Sequence, residues 1–334
     1  MNGTVRTEQR STTSGLDGTV YLLEVGSSRA EIWPALGGNC YRWQVEGAGS
    51  RLDLLYAAPD LFADGRPTRS GIPVLFPFPN RIRDGAFTWE GKEYRLPQND
   101  PAKKNAIHGF ACRKPWRVLD QGSAAGSAWL RLEFHGAKDA PESLELWPTD
   151  YRIRLTFRLA ERSLKLEAVV DNPDKKPLPF GLGYHPYFSV PLASGGKPED
   201  CLVECKRADQ FWELEGNLPT GKQLPVDAAR DLTKPRPYSE LNLDDVLRVA
   251  ASADSTIELG RMKQQPGSAE LRVRASKDYR EVVVFTPPHR QAFCIEPYTC
   301  TTDAINLQAQ GVDAGWRVLP PGGSWQGDVE IEVS

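Results

Sequence analysis

Apolar and polar residues alternate in short segments along most of the chain, which is the pattern of β-strands with one buried face. The segment 151–159 (YRIRLTFRL) alternates without a break, and 128–134 (AWLRLEF) places apolar side chains on one side and polar ones on the other. A hairpin is predicted at 87–96, with Gly91 at its turn. Further strands are predicted at 19–25, 164–170, 270–274, 281–285 and 328–333.

Helical periodicity is scarce in this sequence. No segment keeps apolar residues at helical spacing for more than about two turns, because Pro or Gly interrupts most long stretches. Many short strands without alternating helices predict an all-β fold, an antiparallel sandwich or barrel. The sequence has no internal repeat and no Pro-, Gly- or Ser-rich linker. We therefore expect one domain over 19–334, preceded by a polar, flexible N-terminal tail over 1–18.

Composition agrees with a large, turn-rich globular protein. The 334 residues include 29 Gly, 27 Pro, 9 Trp, 10 Tyr and 12 Phe. Lys and Arg number 41 against 44 Asp and Glu, which gives a net charge of −3. This balance argues against nucleic acid as the main partner. No apolar run approaches the ~18–20 residues of a membrane-spanning helix, so we expect no membrane partner.

The cysteines and the N-terminus indicate the compartment. The six cysteines contain no Cys-x-x-Cys pair, and they are Cys40, Cys112, Cys201, Cys205, Cys294 and Cys300. The first 18 residues lack the apolar segment of a secretory signal. We therefore expect a cytoplasmic protein with reduced structural thiols and no zinc site.

Two of the four histidines lie in unusual surroundings. His108 lies in the turn-like segment 105–110 (NAIHGF), and His185 lies among aromatic residues and glycines in 181–188 (GLGYHPYF). Histidine titrates near neutral pH and can therefore donate or accept a proton in catalysis. The alternative for each is a structural role within a hydrogen-bond network.

Charged and amide side chains add to these candidates. Glu296 ends an apolar strand-like segment, and a carboxylate buried there must be paired or functional because its desolvation is costly. The prolines of 71–83 (GIPVLFPFPNRIR) favour an extended backbone that brings Asn80 and Arg81 to one place. Both side chains offer donors to hydroxyl groups. Structural ion pairs are the alternative for Glu296 and Arg81.

Five segments together resemble, in order and approximate spacing, motifs of the aldose 1-epimerase (mutarotase) family. They are 80–82 (NRI), 105–110, 185–188 (HPYF), 208–222 and 295–297 (IEP). The resemblance implies a galactose mutarotase-like, antiparallel β-supersandwich with a sugar-binding cleft. It also implies that His185 is the general acid and Glu296 the general base. The substrate-binding residues that it implies are Asn80, Arg81, His108 and Asp244, the last preferred over Asp245.

The expected function is therefore an aldose 1-epimerase that interconverts the α and β anomers of a hexose. Glu296 takes the proton of the C1 hydroxyl while His185 protonates the ring oxygen, and closing of the ring reverses these transfers. We expect a small-molecule sugar as the partner, no cofactor or metal, and a monomer or homodimer. Tyr184, Tyr187 and Trp116 are candidates for stacking on the sugar.

Three other functions stay open. His108-Gly109-Phe110 is similar to the hexose-6-phosphate 1-epimerase branch, in which Arg83, Lys103, Lys104 or Arg113 would bind the phosphate. A non-catalytic carbohydrate-binding protein would keep the sugar contacts without the acid–base pair. A glycoside hydrolase or lyase would need two carboxylates beside the bond, here Glu296 and Asp244.

Overall fold

Antiparallel β-strands make up most of the regular secondary structure. The computed structural model describes residues 2–47, 50–265 and 269–334. The first strands are β1 (Thr4–Gln9), β2 (Thr19–Val25), β3 (Ser28–Trp33), β4 (Asn39–Gly47), β5 (Ser50–Asp53), β6 (Val74–Leu75), β7 (Arg81–Ile82), β8 (Ala86–Trp89), β9 (Lys92–Arg95), β10 (Ala106–Ile107), β11 (Arg117–Ala124), β12 (Ser127–His135), β13 (Arg152–Leu159) and β14 (Ser163–Asp171). The later strands are β15 (Leu178–Phe180), β16 (Gly183–Tyr184), β17 (Tyr187–Ser189), β18 (Cys201–Glu204), β19 (Gln210–Glu215), β20 (Leu218–Pro225), β21 (Arg236–Pro237), β22 (Asp244–Arg248), β23 (Thr256–Gln264), β24 (Glu270–Ser276), β25 (Glu281–Phe285), β26 (Ala292–Tyr298), β27 (Arg317–Leu319) and β28 (Ser324–Val333).

Helices are short and lie between strands. The α-helices are α1 (Leu61–Asp64), α2 (Gly136–Asp139) and α3 (Ala304–Ala309). Single 3₁₀ turns occur at Pro67–Arg69, Arg83–Gly85, Ala111–Arg113, Pro141–Glu145, Pro198–Asp200 and Tyr238–Glu240. In the part of the chain that the structure describes, no helix has the length and apolar character needed to cross a lipid bilayer.

Within the described residues, the strands form three large sheets. One has the order β1-β2-β3-β4-β5, and a second has the order β11-β12-β13-β14-β28-β24-β23-β18-β21. The third has the order β20-β19-β22-β25-β26-β16-β6, with β17 also paired to β26. β12 and β13 pack against the first sheet, and β23 packs against β26 of the third. The predicted all-β, antiparallel sandwich is confirmed.

The predicted strands correspond to observed strands because apolar residues alternate with polar ones in the sequence just as buried positions alternate with accessible ones in the structure. Every second residue of β14 is buried, as expected for a strand with one face on the core. β24 shows the same period. The hairpin of β8 and β9 turns at Glu90 and Gly91, both with positive φ.

β26 differs from these half-buried strands, because all seven of its residues are buried. Such a strand is covered on both faces and cannot show the simple apolar–polar alternation. β26 lies between β25 and the short strands β16 and β17, so residues from several separate segments reach the same sheet surface. This strand carries Glu296.

The N-terminal segment differs from the flexible tail expected over 1–18. Residues 4–9 form β1, which pairs with β2 in the register Thr4 to Glu24 through Gln9 to Thr19. Arg10 then contacts the buried Glu31 carboxylate at 3.1 Å. A polar composition predicted a tail, but an edge strand also tolerates polar side chains, because its backbone pairing does not depend on them.

Candidate active site

A cavity of about 480 Å³ brings together the six residues that the sequence analysis assigned to the site. They are Asn80, Arg81, His108, His185, Asp244 and Glu296. These residues are far apart in sequence, and they meet because β7, β10, β16, β22 and β26 end or pass at this cavity.

Strand register places His185 opposite Glu296. Across β26, Gly183 pairs with Tyr298 and Tyr187 pairs with Cys294. His185 and Glu296 lie midway between these two pairs on their respective strands, so the antiparallel register turns the two side chains towards each other. The backbone N–H of His185 donates to the carbonyl of Pro73 at 3.1 Å, which holds the segment between β16 and β17 in place.

The His185–Glu296 pair is the chemical centre of the cavity. His185 Nδ1 lies 3.4 Å from Glu296 Oε1, and the two residues are 7% and 1% exposed. Burial raises the pKa of Glu296 well above 4.5 and lowers the pKa of His185 below 6.5, because desolvation disfavours the charged form of each group. Burial therefore favours the state in which Glu296 is protonated and His185 is neutral.

Two tyrosines that the sequence analysis did not assign to catalysis contact this pair. The Tyr298 hydroxyl donates to Glu296 Oε2 at 2.7 Å. The Tyr187 oxygen lies 3.3 Å from His185 Nε2, and the two rings stack with centroids 4.5 Å apart. Strand alternation is the signal for Tyr298, because residues two apart on a strand share a face and Tyr298 follows Glu296 at that spacing.

Asn80 and His108 hold their backbones in the left-handed region, with φ of 53° and 68°. The His108 N–H donates to the Asn80 carbonyl at 2.8 Å, which ties the two turns together. A Cβ on Gly109 would lie 2.3 Å from the Phe76 carbonyl oxygen, so this position accepts only glycine. Non-glycine residues with such φ values cost energy and are concentrated at functional sites.

Burial lowers the pKa of both nearby histidine rings below the ordinary value of 6.5. The ring of His108 lies 5.7 Å from that of His185, in an edge-to-face arrangement. Burial, with a smaller contribution from the positive potential of His185, lowers the pKa of His108 well below 6.5. His108 can therefore act as a neutral hydrogen-bonding group towards a ligand.

Arg81 is oriented by Asp100, with Nε 3.6 Å from Oδ2, and by a hydrogen bond from its Nη1 to Asn80 Oδ1 at 3.0 Å. Asp100 in turn accepts hydrogen bonds from the backbone and side chain of Asn105. The polar residues of the segment 105–110 therefore hold Arg81 as well as contributing His108.

Asp244 and Asp245 face different surroundings. Asp244 lies in the cavity wall, where its accessible carboxylate has a raised pKa because surrounding protein atoms desolvate it. Asp245 is 9% exposed and binds Arg230 at 2.7 Å. Of the two aspartates, Asp244 is the one that lines the cavity, and its contact with a substrate stays a prediction.

Several residues that the sequence offered as sugar or phosphate contacts lie elsewhere. Trp116 stacks on Phe134 in the core, with ring centroids 5.8 Å apart, and Tyr184 packs against Tyr279. Of the four phosphate candidates, Arg113 lines the cavity, whereas Arg83, Lys103 and Lys104 are outside the wall that the described residues form. Arg83 is held instead by Asp303 at 3.5 Å.

The cavity wall also contains residues for which the sequence carried no signal. They include Arg66, Thr68, Asn99, Pro101, Ile107, Val283 and Phe285. Phe285 ends β25 and meets the His185 ring edge-to-face, with centroids 6.1 Å apart. Arg66 and Thr68 come from the loop after α1, whose position depends on long-range packing.

One group of potential metal ligands includes the pair. Donor atoms of His185, Cys294 and Glu296 lie within 4.8 Å of one another. A metal would require the Cys294 thiolate, and burial raises the pKa of this thiol well above 9.0. The surroundings therefore favour the protonated thiol as a packing group beside Tyr187.

Comparison of the sequence with known proteins gives consistent matches. Residues 20–332 match the family profile described as Aldose 1-epimerase. The chain is 27% identical over 246 residues to the uncharacterized protein YihR of Escherichia coli (strain K12), which covers 72% of each chain. It is 33% identical over 161 residues to the galactose mutarotase of Rattus norvegicus, over 47% of this chain and 43% of that protein.

Solved structures share the fold. A galactose mutarotase-like protein from Clostridium acetobutylicum superposes with a TM-score of 0.85 at 24% identity, covering 99% of this chain and 98% of that chain. The galactose 1-epimerase of Lactobacillus acidophilus NCFM superposes with a TM-score of 0.76 at 15% identity, with coverage of 99% and 98%. The predicted galactose mutarotase-like fold is confirmed.

Proposed function

Because the chain belongs to the aldose 1-epimerase family, we propose that it interconverts the α and β anomers of a hexose. The observation that carries this proposal is the contact of His185 with Glu296 at 3.4 Å in the wall of a cavity lined by hydrogen-bonding groups. Opening of the sugar ring requires removal of a proton from the C1 hydroxyl and addition of one to the ring oxygen. Two adjacent acid–base groups supply both transfers.

Glu296 is the general base and His185 the general acid in the opening step. The ionised Glu296 takes the C1 hydroxyl proton while the protonated His185 gives its proton to the ring oxygen. This step leaves Glu296 protonated and His185 neutral, which is the state that burial favours. After rotation about the C1–C2 bond, the reverse transfers close the ring on the other face. Each positioned transfer contributes about 10²–10⁴ in rate.

The remaining polar groups of the cavity bind the sugar. Arg81 and Asn80 offer donors, the neutral His108 offers a donor and an acceptor, and Asp244 accepts from hydroxyl groups. These groups hold the sugar while the ring opens, so that the aldehyde does not leave before closing.

Polarimetry of anomerised sugars, together with two conservative variants, tests the proposal. His185→Asn and Glu296→Gln each lower kcat about 10²–10⁴-fold and leave sugar binding, measured by NMR titration, largely intact. His289→Asn and Glu240→Gln are the matched controls, because both residues are outside the cavity wall that the described residues form and keep full activity. Unchanged activity in His185→Asn and Glu296→Gln contradicts the mechanism.

The NMR titration and one additional assay separate the other two functions named from the sequence. Binding of a sugar by an inactive wild-type protein supports a non-catalytic carbohydrate-binding protein. Release of nitrophenol from aryl glycosides supports a hydrolase that uses Glu296 and Asp244 as its two carboxylates.

A hexose with an anionic group at C6 is a second candidate substrate, favoured by the arginines of the cavity wall. Arg66 and Arg113 line the cavity in addition to Arg81. Anomerisation rates of glucose, galactose and glucose 6-phosphate decide between the substrates. If the phosphate is preferred, Arg113→Gln raises the KM for glucose 6-phosphate about 10-fold or more, as expected for loss of a charge-assisted hydrogen bond, without changing the KM for glucose.

A further inference from the structure

The hydrogen bonds of Tyr187 determine which nitrogen of His185 carries the proton in the neutral ring. The Tyr187 hydroxyl donates its single proton to the backbone carbonyl of Thr68, at 2.6 Å. Its oxygen can therefore act only as an acceptor towards His185 Nε2, 3.3 Å away. The contact is satisfied when Nε2 carries the hydrogen and Nδ1 carries the lone pair.

The hydrogen bond of Tyr298 determines the orientation of the Glu296 carboxyl group. Tyr298 donates to Oε2 at 2.7 Å, so Oε2 is the acceptor oxygen and Oε1 is the oxygen that faces Nδ1 of His185. In the protonated carboxylic acid, the proton then lies on Oε1. His185 Nδ1 makes no hydrogen bond within the described part of the chain, and Glu296 Oε1 lies 3.4 Å from it.

From these contacts we infer that Tyr187 and Tyr298 are positioning residues: Tyr187 fixes the His185 tautomer with its lone pair on Nδ1, and Tyr298 turns Glu296 Oε1 towards that nitrogen. Tyr187 contacts Nε2 of His185, and Tyr298 contacts Oε2 of Glu296. The facing atoms Nδ1 and Oε1 are left to exchange the proton and to contact the substrate. Transfer of the Glu296 proton from Oε1 to Nδ1 requires the two atoms to approach from 3.4 Å and leaves the net charge of the pair unchanged.

The packing of the two phenols supports this role. The Tyr187 ring is parallel to the imidazole within 6°, and Tyr187 and Tyr298 are 4% and 0% exposed. Buried rings in such contact cannot move away from their hydrogen-bond partners without leaving a cavity. The other titratable or charged groups that face the pair are His108, Asp244, Arg81 and Cys294. None of these donates to Oε2 or accepts from Nε2 in the described structure.

The inference rests on the proposed function for its kinetic consequence alone. Before the opening step, the base and acid forms of the pair are generated by transfer of one proton between Oε1 and Nδ1, whose separation is 3.4 Å. In the other tautomer, the hydrogen on Nδ1 would face the hydrogen on Oε1 of the carboxylic acid. The imidazole ring would then have to flip before it could accept the proton in each cycle. The tautomer itself is a property of the unliganded protein.

¹⁵N NMR of the imidazole rings tests the tautomer without reference to activity. The chain has four histidines, and the His185→Asn variant identifies the His185 signals. The expected result for the wild-type protein is a protonated Nε2 and an unprotonated Nδ1. Tyr187→Phe keeps the stacked ring but removes the acceptor, so we expect the Nε2–H population to fall roughly fivefold relative to Nδ1–H. A wild-type ring protonated at Nδ1, or an unchanged ratio in Tyr187→Phe, overturns the inference for Tyr187.

Steady-state kinetics test Tyr298. The Tyr298→Phe variant lowers kcat about 10-fold or more and leaves KM within about twofold, because the phenol contacts Glu296 and not the sugar. Loss of the donor also moves the alkaline limb of the kcat/KM profile upwards by roughly one pH unit, since the phenol stabilises the carboxylate. A variant with normal kcat and an unshifted profile overturns the role of Tyr298.

Tyr184→Phe is the matched control, because it removes a buried phenol oxygen from the residue before His185. Tyr184 packs against Tyr279 in the core and its hydroxyl makes no hydrogen bond to a described residue, so its variant keeps its stability, the tautomer and the pH profile. If the wild-type protein anomerises no sugar of the panel, the proposed function fails, and the NMR measurement still decides the tautomer.

Discussion

Neighbouring residues in this protein face different surroundings because each step along an extended strand turns the side chain to the other face. Tyr184 packs in the core while His185 lines the cavity, and Asp245 binds Arg230 while Asp244 faces the cavity. The role of a residue therefore depends on the face of the strand to which its side chain points as much as on its chemical type.

The two aspartates give a matched pair of substitutions at the residue scale. Asp244→Asn raises the KM for the sugar about 10-fold or more, because a charge-assisted hydrogen bond is worth about 1.5–3 kcal/mol. Asp245→Asn leaves KM unchanged and lowers the melting temperature, because it removes the partner of Arg230. Steady-state polarimetry and thermal denaturation measure the two effects, and an increase in KM for both variants contradicts the assignment.

The pH dependence of activity follows from the burial of His185 and Glu296. Burial lowers the pKa of His185 below 6.5, so the pair takes up a second proton only at a pH lower than an ordinary histidine would require. Burial also raises the pKa of Glu296 above 4.5, so the last proton is lost only at a pH well above that value. We therefore expect the acid limb of the kcat/KM profile to lie below pH 6.5 and the alkaline limb well above pH 4.5. An inflection near 6.5 in the pH profile would show instead that the imidazole titrates normally.

At the scale of elements, β26 organises the site. Its register with β16 and β17 sets His185 opposite Glu296, and its alternation places Tyr298 on the same face. Close approach of the strands requires a residue without a side chain opposite Tyr298, and Gly183 occupies that position.

Substitution of Gly183 tests this arrangement. A Cβ at Gly183 would lie 2.6 Å from Tyr298 Cδ1 and 2.8 Å from Pro79 Cβ. Gly183→Ala therefore displaces Tyr298, costs about 1–3 kcal/mol in stability and lowers kcat about 10-fold. Gly91→Ala is the control, because Gly91 has φ of 78° in a hairpin turn with nothing within 4 Å of its Cβ position. That control loses stability and keeps its kcat, whereas normal kcat in Gly183→Ala argues against the role of the close contact.

At the scale of the whole molecule, the chain closes its sandwich with segments from both ends. β1 forms the edge of the first sheet, and β28 lies in the middle of the second sheet between β14 and β24. Glu31 is fully buried on β3 and contacts Arg10, Arg29 and Arg42 in addition to the Tyr41 hydroxyl. The N-terminal segment therefore contributes to a buried charge network.

Deletion of residues 2–10 tests the structural role of this segment. The variant loses the β1–β2 pairing and one cation beside Glu31, so we expect a destabilisation of about 1–3 kcal/mol and a melting temperature several degrees lower. The KM for the sugar stays the same, because none of residues 2–10 is in the cavity wall that the structure describes. Arg10→Gln isolates the ion-pair contribution. An unchanged melting temperature after the deletion would support the predicted flexible tail instead.

Much of the fold was predictable because it depends on local periodicity. Alternating segments such as 151–159 predicted their strands, and they became β13 and its neighbours. β1 was missed because its exposed, polar side chains carry no apolar period. The fully buried strand β26 was recognisable only as an apolar segment that stops near Glu296. Its register with the neighbouring strands could not be predicted from the sequence.

The sequence alone determined the strand-rich class of this protein and the residue types that can carry its chemistry, because burial periodicity and acid–base character are local properties. The single-domain organisation over 19–334 and the assignment of site residues stay predictions from that sequence. Only the tertiary structure decided which side chains meet. Strand order and register are set by contacts between residues far apart in the chain, and these contacts place Tyr187, Tyr298 and Arg113 at the cavity while they take Tyr184, Trp116 and Arg83 away from it.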